Sequence, residues 1–147
     1  MNLSSSLEDY LEAILDIRTA NGRVRITDIS SYLNVQKSSV NSAIRKLKNL
    51  NLVMHEKYED IVLTKQGEIE ANRVRNRHDV LFEFFADFLG VKKTEAEKDA
   101  CRIEHAIGPN TFERLKKFIN YLKKSPDFDK TRWLDVFEDS IEPENSE

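Results

Sequence analysis

Apolar residues recur at Leu7, Tyr10, Leu11, Ile14 and Leu15, the three- and four-residue spacing of an amphipathic helix. Ser4-Ser5-Ser6 offers an N-cap and Asn21-Gly22 a stop. Val24-Arg25-Ile26 reads as short and extended, and Thr27 is expected to cap a second short helix carrying Ile29, Tyr32 and Leu33. Asn34-Val35 predicts a tight turn. A third helix opens at Lys37-Ser38-Ser39, with Val40, Ile44, Leu47 and Leu50 on its inner face. The period then changes: Leu52 to Glu56 reads as a strand, Lys57 to Asp60 as a turn, and Ile61-Val62-Leu63 as the returning strand.

Thr64 predicts the cap of a long helix from about Lys65 to Leu89, broken by Gly90. A further helix is expected over about Thr94 to Ile107, stopped by Gly108-Pro109. Asn110 or Thr111 then caps another that runs through Phe112, Leu115, Ile119 and Leu122. Beyond Ser125-Pro126 an amphipathic piece surrounds Trp133, Leu134 and Phe137, and the acidic tail is expected to be disordered. No internal repeat is visible. These elements predict a mostly α fold with a small β-hairpin: a winged helix-turn-helix over 1–75 and a helical domain over 76–147.

With hydrophobic residues at 39% and charged residues at 33%, the chain can build an ordinary core. Its apolar runs, such as Val80-Leu81-Phe82, are broken by acids and fall short of the roughly 18 residues of a membrane span, so no membrane partner is expected. No basic-then-apolar leader is visible, and the single cysteine, Cys101, has no internal disulfide partner. A reducing cytoplasm is the expected compartment.

The net charge of -3 argues against nucleic acid until it is divided along the chain. Between residues 23 and 48 lie Arg23, Arg25, Lys37, Arg45, Lys46 and Lys48, opposed by Asp28 alone. A local basic surface governs phosphate contact more than overall charge does. The third helix has the outer face that a major groove admits, with short polar and basic side chains at Gln36, Lys37, Ser38, Ser39, Asn41, Ser42 and Arg45. Arg25 and the hairpin tip, Lys57 and Tyr58, are candidates for backbone contact. A basic helix that merely faces water is the plainer reading. The hairpin that follows the helix directly favours DNA, since helix, turn, helix and hairpin is the order of a winged helix-turn-helix.

The second half carries different chemistry. Cys101, Glu104 and His105 stand at i, i+3 and i+4, on one helical face. Thiolate, carboxylate and imidazole are ligands of first-row divalent metals. Asp9 and Glu12 share a face of the first helix, and His78 lies in the long helix. Each has a plainer reading alone: a cysteine as a small hydrophobe, two acids at the positive end of a helix, a histidine after three arginines. Three ligand types on one short face are harder to dismiss. Enzymatic use of the cluster finds little support, since no His-Glu-x-x-His run, phosphate loop or Gly-x-Ser-x-Gly is present. A winged-helix regulator without a metal remains the alternative.

The chain resembles the family of the diphtheria toxin repressor and the manganese transport regulator over about residues 5–123. The match is carried by Leu7-Glu8-Asp9-Tyr10-Leu11-Glu12, Ser38-Ser39-Val40, Leu63-Thr64, Arg77-His78 and above all Ala100-Cys101-Arg102-Ile103-Glu104-His105. The resemblance implies a metal-dependent repressor, with a DNA-binding domain and a metal-binding dimerisation domain. It further implies a homodimer on a palindromic double-stranded operator near metal-uptake genes, with no small-molecule substrate. Asp9, Glu12, His78, Cys101, Glu104 and His105 fall on its ligand positions and form a hybrid. The two acids of the first helix resemble the manganese branch, and Cys101 the iron branch. The iron branch's second site wants an acid four residues after His78, where Phe82 stands, although Glu97 can replace a lesser member. The SH3-like domain of longer iron regulators is expected to be absent. Thiolate disfavours Mn(II), while the carboxylates suit Mn(II) and Fe(II). Fe(II) satisfies both sets best, Mn(II) follows, and Zn(II) or Co(II) are expected to bind in vitro.

Overall fold

A computed structural model describes residues 3–141, and the chain divides into two compact units, Met1–Arg75 and Asn76–Glu147. The acidic tail expected to be disordered lies at 142–147, outside the described residues.

In the first unit α1 (Ser5–Asn21) begins where Ser4 Oγ accepts from Leu7 N, and Gly22 ends it at φ 77°. Such a left-handed stop suits glycine. α2 (Ile26–Leu33) starts one residue before the expected Thr27 cap. Arg25 takes the cap position, and Asp28, in the first turn, reaches back to accept from Arg25 N at 2.9 Å. Asn34, at φ 53°, turns the chain into α3 (Lys37–Asn49). Val40, Ala43, Ile44 and Leu47 of α3 are buried, whereas Leu50, expected inside, is exposed. Leu50 is the C-cap residue, past the last helical position, Asn49.

The hairpin is shorter than its alternation suggests. β1 (Val53–Met54) pairs antiparallel with β2 (Val62–Leu63), Val53 opposite Leu63 and Met54 opposite Val62. It is tied beyond its ends, because Ile61 N donates to Val24 O and Arg23 reaches Asp60 at 3.0 Å. One core of Leu11, Ile14, Ile29, Val40, Ile44, Leu47, Leu52, Ile61 and Leu63 joins α1, α2, α3 and the hairpin. This is a winged helix-turn-helix.

α4 (Lys65–Glu83) is capped as expected: Thr64 Oγ1 accepts from Gly67 N and donates to Asn51 O. Gly67 makes a close approach here, since a Cβ at this position would lie 1.9 Å from Leu52 O. The run expected to continue helically to Leu89 becomes a π-helical turn at Phe84–Phe88, which carries the second unit into Gly90 at φ 70°. α5 (Lys93–Ile103) ends earlier than expected, with Glu104 as its C-cap residue still at helical angles. α6 (Pro109–Lys124) starts at Pro109 rather than after it, because proline suits the first helical position, where no amide partner is needed. α7 (Lys130–Ile141) lies against the π-helical turn. Trp133 Nε1 donates to Phe88 O, and Phe88, Phe128, Trp133 and Phe137 form a run of ring contacts. Among the described residues no helix is long and apolar enough to cross a membrane.

Gly67→Ala is expected to destabilise the first unit by about 1–3 kcal/mol, the usual cost of forcing an extra carbon into closed packing. Urea unfolding checks it, and an unchanged midpoint contradicts the close approach.

Candidate metal centre and nucleic-acid interface

The first unit presents α3 outward. Gln36, Lys37, Ser38, Ser39, Asn41, Ser42 and Arg45 are all exposed, while the opposite face is core. Burial on one side and short polar groups on the other come from a single helical stripe. Lys48 extends from the same helix to the hairpin, donating to Glu56 at 2.8 Å and to His55 O. Arg25 is exposed and its Nε lies 3.9 Å from Asp60, whose carboxylate also holds Arg23. Part of the basic cluster thus fixes the hairpin as well as facing solvent. At the tip Tyr58 is 91% exposed and adopts φ 69°, with Lys57 Nζ 5.0 Å from the centre of its ring. A bulky residue at positive φ is costly without compensation.

In the second unit the candidate ligands centre on Glu104. α5 ends at Ile103, and Glu104 N still donates to Ala100 O, so the side chain keeps its helical direction and turns inward. It is 1% exposed. Its Oε2 lies 2.8 Å from His78 Nδ1, and its Oε1 lies 3.2 Å from His105 Nε2. The second contact lacks hydrogen-bond geometry, which leaves Oε1 without a hydrogen-bond partner among the described residues. A buried carboxylate oxygen in that position is costly unless positive charge meets it.

His78, from α4, is buried and held at both nitrogens, with Glu97 Oε1 3.2 Å from its Nε2. The hydrogen bond to Glu104 pushes its pKa up from the ordinary 6.5 to about 9, against the opposing effect of burial, and Glu97 adds to the rise. At neutral pH the imidazole is therefore charged and must lose a proton before it can act as a ligand. Cys101 is exposed one turn before Glu104. Ligand atoms of His78, Cys101 and Glu104 lie within 4.8 Å of one another, a nitrogen, a sulfur and an oxygen converging from two helices. Ligand bonds of about 2.0–2.3 Å suit such a cluster.

Glu104 thus brings His78, Cys101 and His105 together, while Asp9 and Glu12 lie on α1 of the first unit. Two contributors take their roles only in three dimensions. Glu97 was noted as a spare acid and is a direct partner of His78. Arg77 Nη1 reaches Glu104 O at 3.4 Å, and nothing in its arginine-rich surroundings distinguished it.

Two family models match the chain in succession. Residues 2–61 match the iron dependent repressor N-terminal DNA binding domain. Residues 64–131 match the iron dependent repressor metal binding and dimerisation domain. An HTH-type transcriptional regulator of Methanocaldococcus jannaschii is 37% identical over 82% of this chain and 98% of its own length. The transcriptional regulator MntR of Listeria welshimeri is 32% identical over 83% of this chain and 85% of its own. The solved structure of the manganese regulator SloR superposes with a TM-score of 0.69 at 28% identity, over 82% of this chain and 55% of that one. The chain spans about half the length of that structure. These relatives are regulators of transcription rather than enzymes.

Proton titration by NMR is expected to place the His78 imidazole of the metal-free protein near 9. The raised value stabilises the fold fully below the ordinary pKa, and this contribution is lost as pH rises through about 9. Glu104→Gln should return the titration towards 6.5. A midpoint that does not move shows that Glu104 is not its cause.

Proposed function

The chain belongs to the iron-dependent repressor family of metal-dependent transcriptional repressors, and on that premise we propose that it represses metal-uptake genes in the cytoplasm, binding palindromic operators as a homodimer when Fe(II), or next Mn(II), is available.

The observation that carries this reading is Glu104, a buried carboxylate with one oxygen lacking a hydrogen-bond partner among the described residues, between two histidines and one turn from a cysteine. The donor set fits a first-row divalent ion and does not resemble a Mg(II) site built of oxygens alone. A bound ion supplies the concentrated positive charge that His78 in its protonated form provides only in part. His78, Cys101, Glu104 and His105 form the part of the ligand set assigned to the second unit. Asp9 and Glu12 enter it on the family resemblance. Imidazole and thiolate favour Fe(II), the carboxylates accept either metal, and Zn(II) or Co(II) are expected to substitute in vitro.

Residues of this chain divide the work. Glu104 supplies buried negative charge, and Arg77 holds its backbone carbonyl. His78 gives up a proton as it becomes a ligand, so metal affinity rises with pH up to about 9. On the family resemblance, occupancy is linked to DNA binding. The ion favours the DNA-bound form only as far as it binds that form more tightly. In a homodimer two copies of α3 address two half-sites about one helical turn, or a multiple of it, apart. Gln36, Asn41 and Arg45 face base edges, and Lys37, Ser38, Ser39 and Ser42 face phosphates, with Arg25, Lys57 and Tyr58 against the backbone.

The deciding experiment is an anaerobic operator titration with Fe(II), Mn(II), Zn(II) and Co(II), each repeated with chelator. Tight binding only with metal is expected, strongest with Fe(II). Equal affinity with chelator points instead to a winged-helix regulator that needs no metal. Glu104→Ala should weaken metal binding by more than the roughly 10–100-fold typical of losing an outer partner, and should abolish the metal response. Arg45→Ala should leave metal affinity unchanged while weakening DNA binding, and a loss of metal affinity there would count against the division of roles.

A further inference from the structure

Between α3 and the hairpin the first unit carries an open recess of about 580 Å3, lined by Ser38, Asn41, Ser42, Arg45, Lys48 and His55. No carboxylate lines it among the described residues. Arg45 is exposed and forms no ion pair among the described residues. A neighbouring recess on the hairpin shares Lys48 and His55 but is lined also by Glu56, Glu59 and Asp60. Of the two, only the first suits an anion.

His55 stands where the two recesses meet. Lys48 Nζ donates to its carbonyl at 2.9 Å and to Glu56 at 2.8 Å, so the backbone of His55 is moored to the recognition helix. Its imidazole is half-buried, and neither ring nitrogen is hydrogen-bonded among the described residues. Nδ1 is closed off from solvent without a partner. Which nitrogen carries the proton is ordinarily set by the hydrogen bond that the other makes. Here no such bond is made. Water can solvate an N–H at Nε2 but not at Nδ1, so the proton belongs on Nε2.

We propose that His55 is a DNA-binding residue, its Nε2–H donating to a backbone phosphate seated in the recess between α3 and the hairpin. This rests on the reading of α3 as the helix that enters the major groove. With α3 in that groove and the hairpin tip against the backbone, the strand bordering the groove has to pass between them. Its phosphates then enter the recess that is free of acids. Ser42 lines the same recess and adds a hydroxyl donor, and Arg45 adds positive potential while reaching for the bases. A donor left bare in the free protein gains its partner only when DNA arrives, so the contact counts fully towards binding.

The test uses the full chain loaded with Mn(II) and a duplex selected from random sequence by that loaded protein. His55→Ala should weaken binding of this duplex about tenfold, the low end for a hydrogen bond to a charged group. Mn(II) affinity without DNA should stay within about twofold, and the urea midpoint should not move. His55→Gln, whose amide nitrogen reaches the place of Nε2, should recover most of the loss, whereas His55→Asn, whose amide falls short, should not. Replacing single phosphates by neutral methylphosphonates reads the contact itself. At one backbone position the replacement should cost the parent protein about tenfold more affinity than it costs His55→Ala. Undiminished binding by His55→Ala, or the same methylphosphonate profile in both proteins, overturns the proposal. So does a loss that His55→Gln fails to recover, which shows a merely structural histidine. If the loaded parent protein selects no duplex, the DNA reading of α3 is what has failed, and the proposal falls with it.

Discussion

A carboxylate removed from water governs the second unit. Glu104 is 1% exposed, and a buried anion persists only where opposite charge and donors meet it. His78 meets one oxygen at 2.8 Å, and that hydrogen bond raises its pKa against the opposing effect of burial. The other oxygen has no hydrogen-bond partner among the described residues, with His105 Nε2 3.2 Å away. The protein thus holds a negative group in place with fewer donors than it can accept. A structural ion pair differs in that its partners satisfy each other. The exposed thiol of Cys101 beside this pair gives the donor set its softer character.

The first unit solves a different problem. Its recognition helix must expose polar groups over most of its surface and still be rigid, so the restraint comes from its inner stripe and its neighbours. The hairpin is only two residues long in each strand, too short to stand alone. Arg23 with Asp60, Lys48 with Glu56, and the backbone bond from Ile61 to Val24 hold it instead. Exposed pairs of this kind are weak one by one and gain from the packed core beneath them. α2 is the least buried of the first three helices and therefore leans most on a polar contact, that of Tyr32 with Asp16.

Much of this was legible from local pattern. The order of the first three helices, the capping by Ser4 and Thr64, the glycine stops and the hairpin all follow from short-range rules, and the described residues contain each of them. Departures occurred where two local signals competed. The cap expected at Thr27 falls at Arg25, and Asp28 accepts from the Arg25 amide. The aromatic run at Phe84–Phe88 has a helical appearance and forms a π turn, its aromatic rings packing with Phe128 and Trp133 from far along the chain. Cys101, Glu104 and His105 were marked by spacing. That Glu104 is the buried hub was not, since spacing places side chains on a face without saying which of them points inward.

What the sequence determined by itself was what depends on near neighbours: the period of the apolar positions, the caps at Ser4 and Thr64, the polar face of α3 and the ligand types spaced within a turn at the end of α5. These are properties of a few consecutive residues and need no knowledge of the rest of the chain. Only the tertiary structure decided which charges meet. Arg75 finds Asp16 across 59 positions, and His78 finds Glu104 across 26. An arginine in a basic run and a histidine after three arginines look alike in sequence. They part company because one is half-exposed beside two carboxylates and the other is buried between two, and the strength of a charge interaction is set by burial and distance.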